Sequence, residues 1–76
     1  MKIEIYGRDT CPFCRRAKEL AATLDPSYEY HDVEQDPAAQ AKREEYAAQY
    51  NHRTVPVVFV DGEFVGGYSE MAAKFQ

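Results

Sequence analysis

Cys11 and Cys14 are the only two cysteines in the 76-residue chain, and Pro12 and Phe13 stand between them. An alternating apolar run (Ile3, Ile5) leads into the pair, and a helical pattern (Ala17, Leu20, Ala21, Leu24) leads out of it. Two cysteines at this spacing, at a strand-to-helix corner, suit a redox dithiol. Only a thiolate attacks a disulfide, and an unperturbed cysteine, with a pKa of about 8.5, is mostly protonated near neutrality. At the start of a helix the Cys11 sulfur would face unpaired N–H groups and the positive end of the helix dipole. Arg8, three residues earlier, is within reach of the same sulfur. Together these influences can bring a thiol to a pKa of roughly 3.5–7.5. Cys14, one turn further in, gains less from the free amides and is expected to be more buried. Cys11 is therefore expected to attack, and Cys14 to resolve the mixed disulfide from within. Pro12 stiffens the turn between them.

Two other readings of the cysteines are weaker. A pair of inert core cysteines fits poorly with the corner position and with the cationic flank of Arg8, Arg15, Arg16 and Lys18. A zinc site completed by His31 and His52 lacks the paired histidine spacing of a finger.

Two further groups of residues bear on chemistry. Arg53-Thr54-Val55-Pro56 precedes an apolar run, and a proline at the first residue of a strand removes a ladder donor. With a cis Val55–Pro56 bond, the Val55 N–H and C=O would be left to pair with an incoming cysteinyl backbone. In Gly66-Gly67-Tyr68-Ser69-Glu70, the glycines permit close approach, and the helix that follows offers free amides to a carboxylate. Glu70 is expected to accept from an ammonium, so the turn suits a ligand carrying an α-carboxylate and an α-amine.

The elements that position these groups follow from periodicity. Met1–Tyr6 alternates and is a strand closed by Gly7. Thr10 is the expected cap of a helix starting near Pro12 and ending at Asp25-Pro26. Tyr28–Val33 is a second strand, parallel to the first across the crossover. Asp36-Pro37 opens a second helix that runs to about Tyr50. Its face (Ala39, Arg43, Tyr46, Ala47, Tyr50) is poor in large aliphatics and is expected to lie against the sheet edge, partly exposed. Val57–Val60 is apolar on both parities, as in a strand covered on both faces. Asp61-Gly62 turns it into an antiparallel Glu63–Val65, and Ser69 is the expected cap of a last helix over Glu70–Phe75. The order βαβαββα makes one α/β domain over residues 1–76, a four-stranded mixed sheet with helices on both faces.

Composition narrows the function. A hydrophobic share of 45% suits a small globular domain. A formal charge of −4 argues against nucleic acid as partner. No apolar run approaches the roughly 20 residues of a membrane-spanning helix. Two cysteines cannot build a secreted disulfide framework, so the cytosol is the expected location.

In combination these residues closely resemble the glutaredoxins, a branch of the thioredoxin-like fold. Cys11-Pro12-Phe13-Cys14 is similar to the family's dithiol motif, with Phe13 where tyrosine is commoner. Thr54-Val55-Pro56 is similar to its cis-proline motif, and Gly66 to Glu70 to its glutathione-binding turn. The resemblance implies catalysis by Cys11 and Cys14. It also implies a glutathione site made of Arg8, Phe13, Arg53, Thr54, Val55, Pro56, Gly67, Tyr68, Ser69 and Glu70. The arginines would meet the glycyl carboxylate, Val55 the cysteinyl backbone, and the last turn the γ-glutamyl end. The implied activity is reduction of protein disulfides and glutathione mixed disulfides by a monomer. Glutathione is then a co-substrate, and there is no metal and no tightly bound cofactor.

Three departures stand out. Arg8 replaces the usual lysine, Glu70 replaces the usual aspartate, and only nine residues follow Gly67 where relatives carry a longer closing helix. The last of these implies a smaller core and exposed apolar area beside Leu20 or Leu24. Two alternatives remain open. One is a compact redoxin that supplies ribonucleotide reductase and is recharged by thioredoxin reductase. The other is a dimeric module holding an iron–sulfur cluster through Cys11 and glutathione, against which Pro12 argues.

Overall fold

Ile3 and Ile5 project to the same side of strand β1 (Ile3–Gly7), and both are fully buried in the computed structural model, which describes residues 1–76. Strand β2 (Glu29–Asp32) pairs parallel to it, with Ile5 opposite Tyr30. Strand β3 (Val57–Val60) pairs antiparallel on its other side, with Ile5 opposite Val58. Strand β4 (Glu63–Gly66) returns along β3 and completes a sheet of order β2-β1-β3-β4. The return is made at Asp61 and Gly62, both with positive φ (53° and 81°), the backbone that a two-residue hairpin needs.

Three helices cover the sheet. Helices α1 (Pro12–Leu24) and α3 (Tyr68–Phe75) lie on one face, where Ala17, Ala21 and Met71 pack on Ile3, Ile5, Val58 and Val60. Each large side chain buried there contributes about 1.5–3 kcal/mol relative to exposure. Met71 and Phe75 are the apolar residues that α3 has to offer, and a groove lined by Leu20, Leu24, Tyr68 and Phe75 stays open between α1 and α3. This matches the thin cover expected of so short a closing helix.

Helix α2 (Pro37–Tyr50) takes the other face. It does not lie against the sheet edge, as its composition suggests, but over the centre. The small Ala39 and Ala47 are buried, and the tyrosine rings supply the apolar area that aliphatics would otherwise give. Tyr46 sits 4.6 Å from the Phe59 ring and Tyr50 stacks on Phe64 at 4.2 Å. No helix is long and apolar enough to cross a membrane.

The helix starts differ from expectation at two of three places. Asp36 caps α2 by accepting from the Ala38 N–H at 3.0 Å, as its sequence predicts. The cap of α1, however, is Cys11 and not Thr10: its sulfur accepts from the Cys14 N–H at 3.4 Å. The Thr10 hydroxyl donates instead to Glu34 at 3.2 Å. Helix α3 starts at Tyr68, with Gly67 and not Ser69 in the capping position.

Candidate active site

The dithiol sits where β1 ends and α1 begins. Pro12 occupies the first helical position, where a missing N–H costs nothing. Cys11 is half-buried while Cys14 is completely enclosed. Gly7, the last residue of β1, makes room for the second cysteine: a Cβ there would stand 2.8 Å from the Cys14 Sγ. The two sulfurs thus share one turn of helix and have opposite environments.

Their acidities diverge accordingly. Burial opposes ionisation of Cys11 but is outweighed by the Cys14 thiol, by the Cys14 and Phe13 N–H groups, and last by the Arg8 charge. The net effect holds Cys11 below the ordinary thiol range. For Cys14, burial dominates and the neighbouring Cys11 sulfur adds to it, against an opposing Arg8 N–H. Its thiol is pushed up to about 12. The more accessible sulfur is therefore the one ready to attack, and the enclosed one keeps its proton until called on. The amides contribute ahead of the arginine, so the helix start matters more than the guanidinium.

Opposite the dithiol, the Val55–Pro56 peptide bond is cis, and the Val55 carbonyl lies 3.7 Å from the Cys11 Sγ. The Val55 N–H has no partner within the chain. A cleft of about 640 Å³ opens beside these atoms. It gathers Arg8, Cys11 and Phe13 from the α1 end, Arg53, Thr54, Val55 and Pro56 from the loop before β3, and Gly67, Tyr68, Ser69 and Glu70 from the start of α3. Phe13 is half exposed at the rim (51%), stacked at 6.2 Å on Tyr68 and with the Arg16 guanidinium 5.4 Å from its ring centre. Cys14 does not line the cleft.

Two lining residues escape the sequence reading of the site. Arg43 reaches the cleft from the middle of α2 and donates to the Arg53 carbonyl at 3.0 Å. His52 lies against the Pro56 carbonyl, its Nε2 at 3.2 Å, and close to Gly67. Arg43 falls on the same helical face as Tyr46 and Tyr50, which is the available signal. It points to the site only once α2 is known to lie over the sheet. Three arginines therefore border a cleft on a chain of net negative charge.

Glu70 has a second role at the site. One oxygen of its carboxylate accepts from the Gly67 N–H at 2.6 Å, so it closes the first turn of α3 as the N3 residue of a capping box does. The second oxygen of the carboxylate makes no hydrogen bond within the chain. The histidines do not join the cysteines as metal ligands. His31 stacks on Tyr6 at 4.6 Å, and the one set of possible ligands within mutual reach is Glu4, Glu29 and His31 on the β1–β2 surface.

A mixed sheet of this order, with a paired-cysteine helix start facing a cis-proline loop, defines a thioredoxin-like dithiol protein. Comparison with known proteins narrows the class. The glutaredoxin family model matches residues 3–65. Glutaredoxin 3 of Escherichia coli is 35% identical over 71 residues, covering 93% of this chain and 82% of the relative. Glutaredoxin 1 of the same species is 37% identical over 78 residues, covering 96% and 91%. Among solved structures, the dithiolic glutaredoxin of Trypanosoma brucei brucei superposes with a TM-score of 0.84 at 32% identity, covering 93% of this chain and 73% of that one. A buckwheat glutaredoxin–glutathione complex gives 0.84 at 26% identity, covering 95% and 66%. The chain belongs to the glutaredoxin family and is a thiol-disulfide oxidoreductase.

Proposed function

We propose that this protein reduces glutathione mixed disulfides and protein disulfides, with glutathione as the reductant that restores it. The observation that carries the reading is the position of Cys11. It is the more ionisable sulfur, and it opens onto a cleft bordered by Arg8, Arg43 and Arg53 and by the Val55 backbone. A small anionic peptide with a sulfur near its middle suits that cleft: its carboxylates meet the arginines and helix amides, and its backbone meets Val55.

The Cys11 thiolate attacks the accessible sulfur of the disulfide, and the leaving thiol departs with a proton from water. The glutathionyl adduct is then released either by a second glutathione or by Cys14, which closes the internal disulfide. The glutathione complex of the buckwheat relative supports glutathione as the co-substrate. On this reading the protein works as a monomer in the cytosol, with no resident cofactor. Since one Glu70 oxygen holds the Gly67 N–H, the second oxygen or a water meets the γ-glutamyl ammonium.

The test is turnover of a small glutathione mixed disulfide by the intact chain and by Cys11→Ser. Loss of activity in the variant and saturation by glutathione in the intact chain are expected. Turnover supported by thioredoxin reductase and not by glutathione would favour instead a redoxin serving ribonucleotide reductase.

A further inference from the structure

The second sulfur raises a problem that the cleft does not solve. Cys14 is completely enclosed and lies outside the cleft, yet on the proposed reading it must become a nucleophile when it closes the ring. Something inside the protein has to support its charge as the proton leaves, because water does not reach it.

Strand β2 supplies a group for this. Tyr30 stands opposite Ile5 in the register, on the face of the sheet that carries α1. Its hydroxyl is sealed from solvent and has no partner at hydrogen-bond distance, with the Asp9 carboxylate near enough to raise its pKa. Buried hydroxyls are normally paired, so one left idle calls for an explanation. The hydroxyl converges with the Cys14 sulfur over Gly7. A Cβ at Gly7 would meet the Cys14 Sγ at 2.8 Å and the Tyr30 Oη at 3.2 Å. Both atoms thus border the space left by the missing side chain of Gly7 on β1.

The surroundings keep Tyr30 in its donor form. Burial, and then Cys14, Asp9 and Asp32, push the phenol well above its ordinary value. Lys18 lies 4.2 Å over the ring and pairs with Asp9 at 3.4 Å, which fixes the ring from the α1 side. In the resting protein the groups that influence Cys14 are Arg8, whose N–H and charge favour its ionised form, and Cys11, which opposes it.

We propose that Tyr30 is the positioning residue of the resolving step, its hydroxyl donating to the Cys14 sulfur as that sulfur ionises. This inference rests on the assignment of Cys14 as the resolving cysteine. In that step the Cys14 sulfur forms a bond to the Cys11 sulfur, and the bond from Cys11 to the glutathione sulfur breaks. The glutathione sulfur leaves with the electron pair and takes up the proton that Cys14 gave up. Cys14 is oxidised, glutathione is reduced, and Tyr30 ends the step with its own proton.

The test compares the reduced chain with Tyr30→Phe, which removes only an unpaired hydroxyl and keeps the ring packing. Each is mixed with oxidised glutathione, quenched with acid at intervals, and weighed by mass spectrometry to separate the glutathionylated from the internally bridged chain. Two phases are read: attack by Cys11, then closure by Cys14. We expect Tyr30→Phe to slow closure by about tenfold, the order of one hydrogen bond to a charged group, with the slowing confined to that phase. The pH midpoint of the closing phase should also move upward, which a purely structural role would not produce. Closure at the unaltered rate, or equal slowing of both phases, would overturn the role of Tyr30 alone. Failure of the unaltered chain to form any Cys11–Cys14 disulfide would overturn the assignment of Cys14, and this inference with it.

Discussion

Replacing Gly7 by alanine tests how tightly the resolving cysteine is held. The new methyl group would stand 2.8 Å from the Cys14 Sγ, 3.2 Å from its Cβ and 3.2 Å from the Tyr30 hydroxyl. None of these is the free end of a flexible chain, since Cys14 is fully enclosed in the first turn of α1 and Tyr30 is clamped by Lys18. Helix α1 must therefore back away from β1, or Cys14 must leave its rotamer. Overpacking of this kind costs about 1–3 kcal/mol. Alanine recovers up to about 1 kcal/mol by stiffening the unfolded chain. The net loss is then up to about 2 kcal/mol, which lowers the melting temperature of a domain this size by up to about 16 °C. The assay is thermal unfolding of the reduced protein, with thiol reactivity measured alongside. Cys14 should become more reactive as it is displaced. Gly62→Ala is the control: nothing lies near its Cβ, so it strains the backbone at a φ of 81° without touching either thiol. An unchanged melting temperature and an unreactive Cys14 in Gly7→Ala would refute the packing argument.

Three further outcomes are expected. Cys14→Ser should keep most turnover of glutathione mixed disulfides and lose most reduction of protein disulfides that need two thiols, measured with one substrate of each kind; equal loss of both would reverse the roles of the cysteines. Stability should fall as pH rises from about 8.5, because the unfolded chain sheds its cysteine protons there while folded Cys14 holds its proton to about 12. Denaturant midpoints across the alkaline range check this, and a midpoint that rises with pH would contradict it. Glu70→Ala removes the acceptor of the Gly67 N–H and should cost about 0.5–2 kcal/mol, with weaker glutathione binding. Denaturant unfolding and calorimetry measure the two effects, and an unchanged stability would count against the capping role.

Much of the architecture is legible in the sequence because local rules and tertiary demands agree there. The Ile3/Ile5 alternation, the Asp36-Pro37 start, the all-apolar Val57–Val60 and the Asp61-Gly62 turn each fix an element by chemistry confined to a few residues. The dithiol stands out for the same reason. Where the reading departs from the structure, the deciding contact is distant or the residue has two candidate roles. Thr10 has the chemistry of a cap, but the cysteine after it already offers its sulfur to the amide, and Glu34 takes the threonine hydroxyl. Ser69 likewise yields to Gly67, because Glu70 folds back on the glycine amide. The second helix is placed at the sheet edge by its lack of aliphatics, whereas tyrosine rings give it enough apolar area to cover the centre. That placement in turn brings Arg43 to the cleft. Tyr30 is an unremarkable strand residue until the register sets it beside Gly7 and Cys14.

The central claim is that the Cys14 thiol and the amides of the helix start hold the Cys11 thiol below the ordinary thiol range. The direct measurement is the rate of alkylation of the reduced chain by iodoacetamide as a function of pH, with mass spectrometry identifying the modified cysteine. The account predicts a single modified residue, Cys11, whose titration midpoint lies below the value of about 8.5 for free cysteine. A midpoint at or above that value, or modification of Cys14 first, would contradict it.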